Sequence, residues 1–389
     1  MLDMSLKSDQ IKLAIAGIFA VTLALGIGRF CYTPILPFMR ESLGLNSSQA
    51  GLIGSWNYFG YFLGSFTILF PFFSYNLKFS FITACIISIL STALTATTDN
   101  FSLICFTRFA NGFAGAVVLI SGTSLVFSRL EKFLSPDLRL AHFSGFGLGM
   151  AFSSIVVMVC EHFYISWKGQ WLFMALICLI LFIPVIILTP AQPKKTQKNL
   201  DSHSKTNGSF ILLCIGYTFF GFGYIIYGTF ISDFLRSSQD LNFLGNIAWL
   251  IAGIAAIPSA IFWQKIGALI SIDASLLLSS FVSALGALML FFTLSQPLII
   301  ISCIFFGFGI PGIVSLTLLE GKNRFKGNTT TSIAILTTFF SIGQILGPYV
   351  SGSIIDYYND YLLAILISSI SLSLGGVFML RTFRIFSYP

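Results

Sequence analysis

The chain has 389 residues, of which 56% are hydrophobic and only 9% charged, with 43 phenylalanines. Soluble domains carry roughly 25% charged residues, so an ordinary cytosolic protein is excluded and the long apolar runs need lipid as their solvent. The net charge of +7 is spread over many short polar intervals, which is a mark of membrane topology and argues against nucleic acid as a partner.

A hydrocarbon core of ~30 Å takes roughly 20 helical residues to cross. Twelve segments have that length: 12–38, 47–71, 79–97, 101–129, 139–163, 167–189, 209–235, 242–263, 272–294, 297–319, 327–355 and 361–382. None alternates with period two, so a β-barrel is excluded and an all-α polytopic membrane protein of twelve helices is predicted. The polar opening "MLDMSLKSDQIK" and the lack of a small-residue cleavage site predict no cleaved signal peptide, and no lipidation motif is seen. If both termini are cytoplasmic, 16 of the 21 basic residues fall in inner segments, among them Arg129, Lys132, Arg139, Lys194, Lys195, Lys198, Arg381 and Arg384. The outer loops then hold only Arg40, Lys168 and Arg236. The positive-inside rule therefore predicts cytoplasmic termini. Arg29 and Arg108 are the basic residues left inside spans.

In the first span, "LGIGRFCYTPILPFM" (25–39) places Arg29 roughly 25 Å from the inner end at ~1.5 Å per residue, in the outer third. A charge near mid-membrane costs on the order of 2.5–3.5 kcal/mol on insertion scales. Snorkelling to the outer headgroups is the plainer reading; against it, Gly26, Arg29 and Thr33 share one narrow stripe that suits a cavity. Pro34 and Pro37 are expected to end this span. On the second span Asn57, Tyr58 and Tyr61 form a polar stripe, and Gly60 and Gly64 make a small-residue groove. In the fourth, "CFTRFANGFAGA" (105–116) puts Arg108 about 10 Å below the outer surface, sharing a face with Asn111, Gly112 and Gly115. Arg108 reads either as a cavity charge or as a structural arginine bonded to nearby carbonyls. On the fifth, Ala141, Gly145, Gly149 and Ser153 recur every four residues, a groove for close helix approach and for sliding between helices.

The polar interval "AQPKKTQKNLDSHSKTNGS" (191–209) reads as a flexible cytoplasmic linker. It divides the chain into an N-terminal six-helix bundle at 1–190, a linker at 191–208 and a C-terminal six-helix bundle at 209–389. The halves echo each other: "GIGRFCYT" (26–33) aligns with "GFGYIIYG" (221–228) at an offset of 195, and "WNYFG" (56–60) with "WLIAG" (249–253) at 193. Two such pseudo-repeats favour an internal duplication and a transporter whose site lies between them. In the second half, Tyr217, Gly221, Tyr224 and Gly228 line one stripe of the seventh span, with Tyr227 matching Tyr32 in the repeat. "FGFGIPG" (306–312) is expected to interrupt the tenth span. On the eleventh, Thr337, Ser341, Gln344 and Pro348 lie opposite Gly343 and Gly347.

The 14 carboxylates all sit in loops or near span ends, including Glu161, Asp233, Asp273, Glu320 and Asp356. A buried guanidinium without a carboxylate needs carbonyls, water or a bound anion. The seven cysteines lie in or beside spans with no metal-ligand spacing, and the three histidines (142, 162 and 203) are apart; no metal site, disulfide or cofactor is predicted. No Walker loop is present, so ATP-driven transport within this chain is excluded.

The twelve-span plan with a central linker resembles the major facilitator superfamily. "RFANGFAGA" (108–116) is similar to its fourth-helix motif, and "GQILGPYVSG" (343–352) to its Gly-xxx-Gly-Pro signature. More specifically, the 25–39 stretch, "QAGLIGSWNYFGYFLG" (49–64) and "GFGYIIYGTF" (221–230) resemble the YbfB/YjiJ family of bacterial transporters. The resemblance implies two six-helix bundles rocking around a central site in a bacterial inner membrane. Two departures stand out. Arginines replace the carboxylates that often take coupling protons on helices one and four, and "PFFSYNLK" (71–78) stands where the family's charged loop motif would be.

The expected function is secondary transport of a small, anionic organic solute by alternating access. Arg29, Tyr32, Asn57, Tyr58, Tyr61, Arg108, Asn111, Tyr224, Tyr227 and Gln344 are the candidate substrate contacts. Gly112, Gly115, Gly145, Gly149, Gly343, Gly347 and Pro348 are the packing and conformational positions. A proton could couple through the solute's own carboxylate or through His142. Partners are the solute and lipid, with a monomeric state expected. Efflux of neutral or cationic compounds is the alternative; an intramembrane lipid-modifying enzyme or a non-transporting receptor is more remote.

Overall fold

A computed structural model describes residues 2–70, 72–73, 76–130, 140–190, 208–237, 239–292 and 295–380. The predicted linker apart from Gly208, the side chains of Lys7 and Arg129, and Lys132, Arg139, Lys205, His203, Arg381 and Arg384 lie outside the described residues.

The first span is built in three pieces. Helix α1 (Leu2–Val21) passes into a π-helical turn (Thr22–Ile27), and after residues 28–31 the chain resumes as α2 (Tyr32–Leu43). The break therefore precedes the prolines expected to end the span. Pro34 sits in the first turn of α2, where a backbone N–H would have no partner anyway. Gly44, in the left-handed region at φ 64°, ends α2, and Asn46 with Gln49 forms a capping box that starts α3 (Ser47–Thr67). Helices α4 (Leu77–Thr95), α5 (Phe101–Leu130), α6 (Ser144–His162) and α7 (Trp167–Leu188) complete the first half.

The second half comprises α8 (Gly208–Arg236), α9 (Leu244–Ala256), α10 (Ser259–Leu269), α11 (Ile272–Phe292), α12 (Gln296–Arg324), α13 (Thr329–Tyr358) and α14 (Leu362–Phe378). Pro258 separates α9 from α10, which bend by 44° within one span. Among the described residues nine helical stretches are long and apolar enough to cross a membrane, and this bent pair makes a tenth. The two other expected spans are α3, 21 residues long but rich in Ser and Gly, and α14, with 17 residues.

The tenth span is not interrupted: α12 runs unbroken through Pro311 and Gly312. The reason lies on α10. The Ser259 hydroxyl accepts from Gly312 N–H (2.8 Å) and donates to the Phe308 carbonyl (2.6 Å), bridging the step of the ladder beside the proline. The Trp263 indole also donates to Phe308 O at 2.8 Å. Neighbouring side chains thus re-satisfy the backbone that proline disturbs.

Glycines set the helix contacts. A Cβ on Gly26 would come within 2.6 Å of both the Gly145 carbonyl and the Gly149 Cα, so the π-helical turn and α6 touch backbone to backbone. Gly343 and Gly347 of α13 press in the same way on α8, against Thr218 and Phe222. Gly112 meets the Asn57 carbonyl, and 195 residues on Gly307 meets that of Ala252. Gly115 faces Leu25 and Tyr61. The two halves are joined along two seams: α3 with α13, where Pro348 packs on Gly51 and Gly54, and α6 with α9, where Gly147 meets Gly253. The seven cysteines are buried and free.

Candidate functional site

The near side denotes the helix ends at Leu188 and Gly208, and the distal side the opposite ends. Arg29 lies at the broken segment of the first span, in its distal part, and is only 3% exposed. Its guanidinium stacks over the rings of Tyr58 (4.4 Å to the centroid) and Tyr61 (4.5 Å) from α3, and over Phe30 at 5.4 Å. Arg29 Nη2 donates to the Tyr224 hydroxyl of α8 at 3.0 Å, and the Gln344 amide of α13 donates to that same oxygen. The charge is therefore held by aromatic faces and the hydroxyls of Tyr58, Tyr61 and Tyr224 rather than by backbone carbonyls. Among the described residues no carboxylate pairs with it.

The repeat explains this meeting. Arg29 and Tyr224 are 195 residues apart, the offset of the internal duplication, and so are Thr33 and Gly228, joined by a 2.5 Å bond from the Thr33 hydroxyl to the Gly228 carbonyl. Residues related by an approximate two-fold touch each other only near its axis. Arg29 thus sits where the halves face each other symmetrically, with an arginine on one side and a tyrosine on the other. The same offset carries Tyr32 and Arg108 onto Tyr227 and Cys303. Arg108 lies 5.5 Å from the Tyr32 ring, and the Tyr227 hydroxyl lies 3.5 Å from Cys303 Sγ.

Arg108 is placed as the carbonyl-bonded alternative describes. Its Nη1 donates to Gly28 O (2.7 Å) and its Nη2 to Arg29 O (3.0 Å), while Trp171 covers it at 5.0 Å. Thr33 N–H turns to Phe30 O (3.3 Å), so the break leaves the Arg29 carbonyl for Arg108. The two arginines are connected in this way: one supplies the charge at the axis, the other pins the backbone that presents it.

The structure brings together Arg29, Tyr58, Tyr61, Tyr224 and Gln344 from the predicted set, and places the others elsewhere. Tyr32 donates to Ala50 O (2.8 Å), and Asn57 to Arg108 O (2.8 Å). Asn111 reaches Ser88 and Thr92 of α4 at 3.2 Å each. Tyr227 bonds Ser302 (2.9 Å) and stacks on Phe306 at 3.9 Å, inside the second half. His142 is buried beside Thr123 at 3.0 Å, between α5 and the start of α6 and away from the axis.

Phe340 of α13 is a wall of the site that the sequence reading missed. It stacks on Tyr217 (4.4 Å), Tyr224 (5.5 Å) and Phe220 (5.9 Å). A signal existed, since Phe340 lies three residues from Thr337 and four from Gln344 on the polar stripe.

The distal side is closed by polar bridges between the halves. Asp233 of α8 pairs with Arg40 of α2 and accepts from the Tyr361 hydroxyl at 2.7 Å. Asp356 of α13 accepts from the backbone N–H groups of Ser47 (2.9 Å) and Ser48 (2.7 Å), so it caps α3 from the other half. Arg236 pairs with Glu161 at 2.6 Å. On the near side, Arg324 binds Asp273 (2.7 Å), Glu320 (3.1 Å) and the Met379 carbonyl (2.9 Å), tying α11, α12 and α14 together. An apolar cavity of about 370 Å³ opens between α8, α13 and α14 beside Phe222 and Leu346, away from the axis.

A model of the family described as "Uncharacterised MFS-type transporter YbfB" matches residues 21–380. The chain is 21% identical over 379 residues to the "Uncharacterized MFS-type transporter YfhI" of Bacillus subtilis (strain 168), covering 92% of this chain and 91% of that one. Among solved structures it is similar in fold to the nucleoside transporter NupG, with a TM-score of 0.70, 18% identity, and 95% and 98% of the two chains covered. The structure of a NupG point mutant gives 0.69, again at 18% identity, over 96% and 99%. A helical membrane fold with its halves facing across a buried arginine, and a family model spanning nearly the whole length, lead to one conclusion: the chain belongs to the major facilitator superfamily, in the family of YbfB-type transporters.

Proposed function

We propose that the protein moves a small organic anion across the membrane by alternating access, with Arg29 as the principal charge contact. In this reading residues 1–190 and 209–389 rock against each other around the axis between Arg29 and Tyr224, with 191–208 as their cytoplasmic link. The observation that carries it is the state of Arg29: a buried cation on the axis between the halves, held by the rings and hydroxyls of three tyrosines, with no carboxylate among the described residues to neutralise it. An anion that enters supplies the missing countercharge, and its guanidinium partner matches carboxylate or phosphate geometry. With cytoplasmic termini the near side is internal, and the bridges at Asp233 and Asp356 then close the protein towards the outside.

Two solved structures similar in fold are those of a nucleoside transporter, and nucleosides, largely uncharged, serve as the contrasting class. The test is a thermal-shift screen of purified protein against organic acids, phosphates, nucleosides and cationic compounds, repeated on Arg29→Ala and Arg29→Lys. The variants must melt as the wild type does without ligand. Stabilisation by anions that is lost in Arg29→Ala and partly kept in Arg29→Lys supports the reading. Stabilisation by nucleosides or cations alone, equal in all three proteins, refutes it.

A further inference from the structure

We propose that the solute is a planar aromatic carboxylate with a hydrogen-bond donor next to its acid group. This rests on Arg29 as the anion contact and adds the shape and second polar group of the cargo.

The first observation is an unfilled fork. The Nε–H and Nη2–H of an arginine form one edge of its guanidinium, spaced to match the two oxygens of a carboxylate. In Arg29 the Nη2 is occupied by the Tyr224 hydroxyl, while the Nε is buried without a partner. One phenol oxygen fills half of a two-oxygen site. A carboxylate that displaces Tyr224 satisfies both donors.

The second observation is the amide beside it. Gln344 donates from its nitrogen to the same Tyr224 oxygen, and its Oε1 is buried with no partner. A carboxylate in place of the phenol keeps the amide donor occupied. The orphaned Oε1, on the same amide carbon, then needs a donor on the ligand close to the acid group. Buried polar atoms in native proteins are paired almost without exception, and these two orphans belong to groups that meet on one hydroxyl, so a single ligand in its place can satisfy both.

The third observation sets the shape. Tyr217, Phe220 and Tyr224 follow one another along α8 with interplanar angles of 4° and 16°, and Phe340 lies on them at 13°, 16° and 7°. The walls next to the fork are flat and nearly parallel. A planar ring can extend or replace that stack with offset contact over its whole face, whereas a puckered ring touches it only through its axial C–H groups.

The experiment titrates purified full-length protein in detergent with 2-aminobenzoate, benzoate and cyclohexanecarboxylate by calorimetry. The three share one charge and one ring size. Expected dissociation constants rise in that order, with at least tenfold between the first and last. Gln344→Leu should bring 2-aminobenzoate to the affinity of benzoate, and Phe340→Leu should remove the difference between benzoate and cyclohexanecarboxylate. The wild-type comparison needs no variant to fold. Equal affinity for all three overturns this proposal while leaving the anion reading intact. So does binding confined to non-aromatic anions. Aromatic acids that bind Arg29→Ala as well as wild type overturn both.

Discussion

Asp233→Asn should unlatch the distal side. Asp233 is the shared acceptor of Arg40 from the first half and Tyr361 from the second, with side-chain exposures of 8% for Asp233 and 22% for Arg40. Breaking a fully buried ion pair costs about 3–5 kcal/mol, mostly because one charge is left behind. Arg40 is partly wet and also donates to the Leu45 carbonyl at 3.2 Å, and an asparagine can still accept from Tyr361, so ~2 kcal/mol is the working figure. At 1.36 kcal/mol per tenfold, the ratio of distally closed to distally open molecules falls by about 30-fold. The reporter is Thr33→Cys, buried at the junction with Gly228, in a background lacking the seven native cysteines. Labelling of this thiol by an impermeant maleimide added from the distal side should accelerate by about the same factor. Adding Arg40→Gln to Asp233→Asn should slow labelling back towards the wild-type rate, because the stranded charge is removed with its partner. Equal labelling rates with and without Asp233 would refute the latch, and so would a faster rate in the double variant than in either single one.

Arg108→Ala should destabilise the protein rather than merely weaken solute binding. It removes two charge-assisted bonds to the Gly28 and Arg29 carbonyls, each worth about 1.5–3 kcal/mol; a lower melting temperature without ligand, partly restored in Arg108→Lys, is the expected result. Gly149→Val should abolish folding, since a Cβ at Gly149 would lie 2.2 Å from the Gly26 Cα, whereas the same change at exposed Gly208, with open space around it, should leave melting unchanged.

The opposed glycines and the polar stripes are legible in the sequence because helical periodicity is local: Gly145 and Gly149, or Tyr224 and Gln344, announce a face without naming its partner. The role of Arg108 stays between two alternatives at that level, since a buried arginine looks the same whether it meets solute or carbonyl. The π-helical turn at Thr22–Ile27 gives no signal, because its residues would suit an α-helix equally well. Pro311 misleads for the opposite reason: its local rule is real, but Ser259, 52 residues earlier, overrides it. Phe340 is hidden among 43 phenylalanines, most of which serve packing or lipid.

Sequence alone determined that this chain lives in a bilayer as a bundle of helices and pointed to two similar halves, for these follow from composition, length and offset. Which charges meet was decided by tertiary structure. Arg40 finds Asp233 at a separation of 193 and Tyr361 at 321, and Arg29 finds Tyr224 at 195. Such pairs exist only once two bundles are set face to face, and in lipid that placement is governed by close packing of small residues and the satisfaction of buried polar groups.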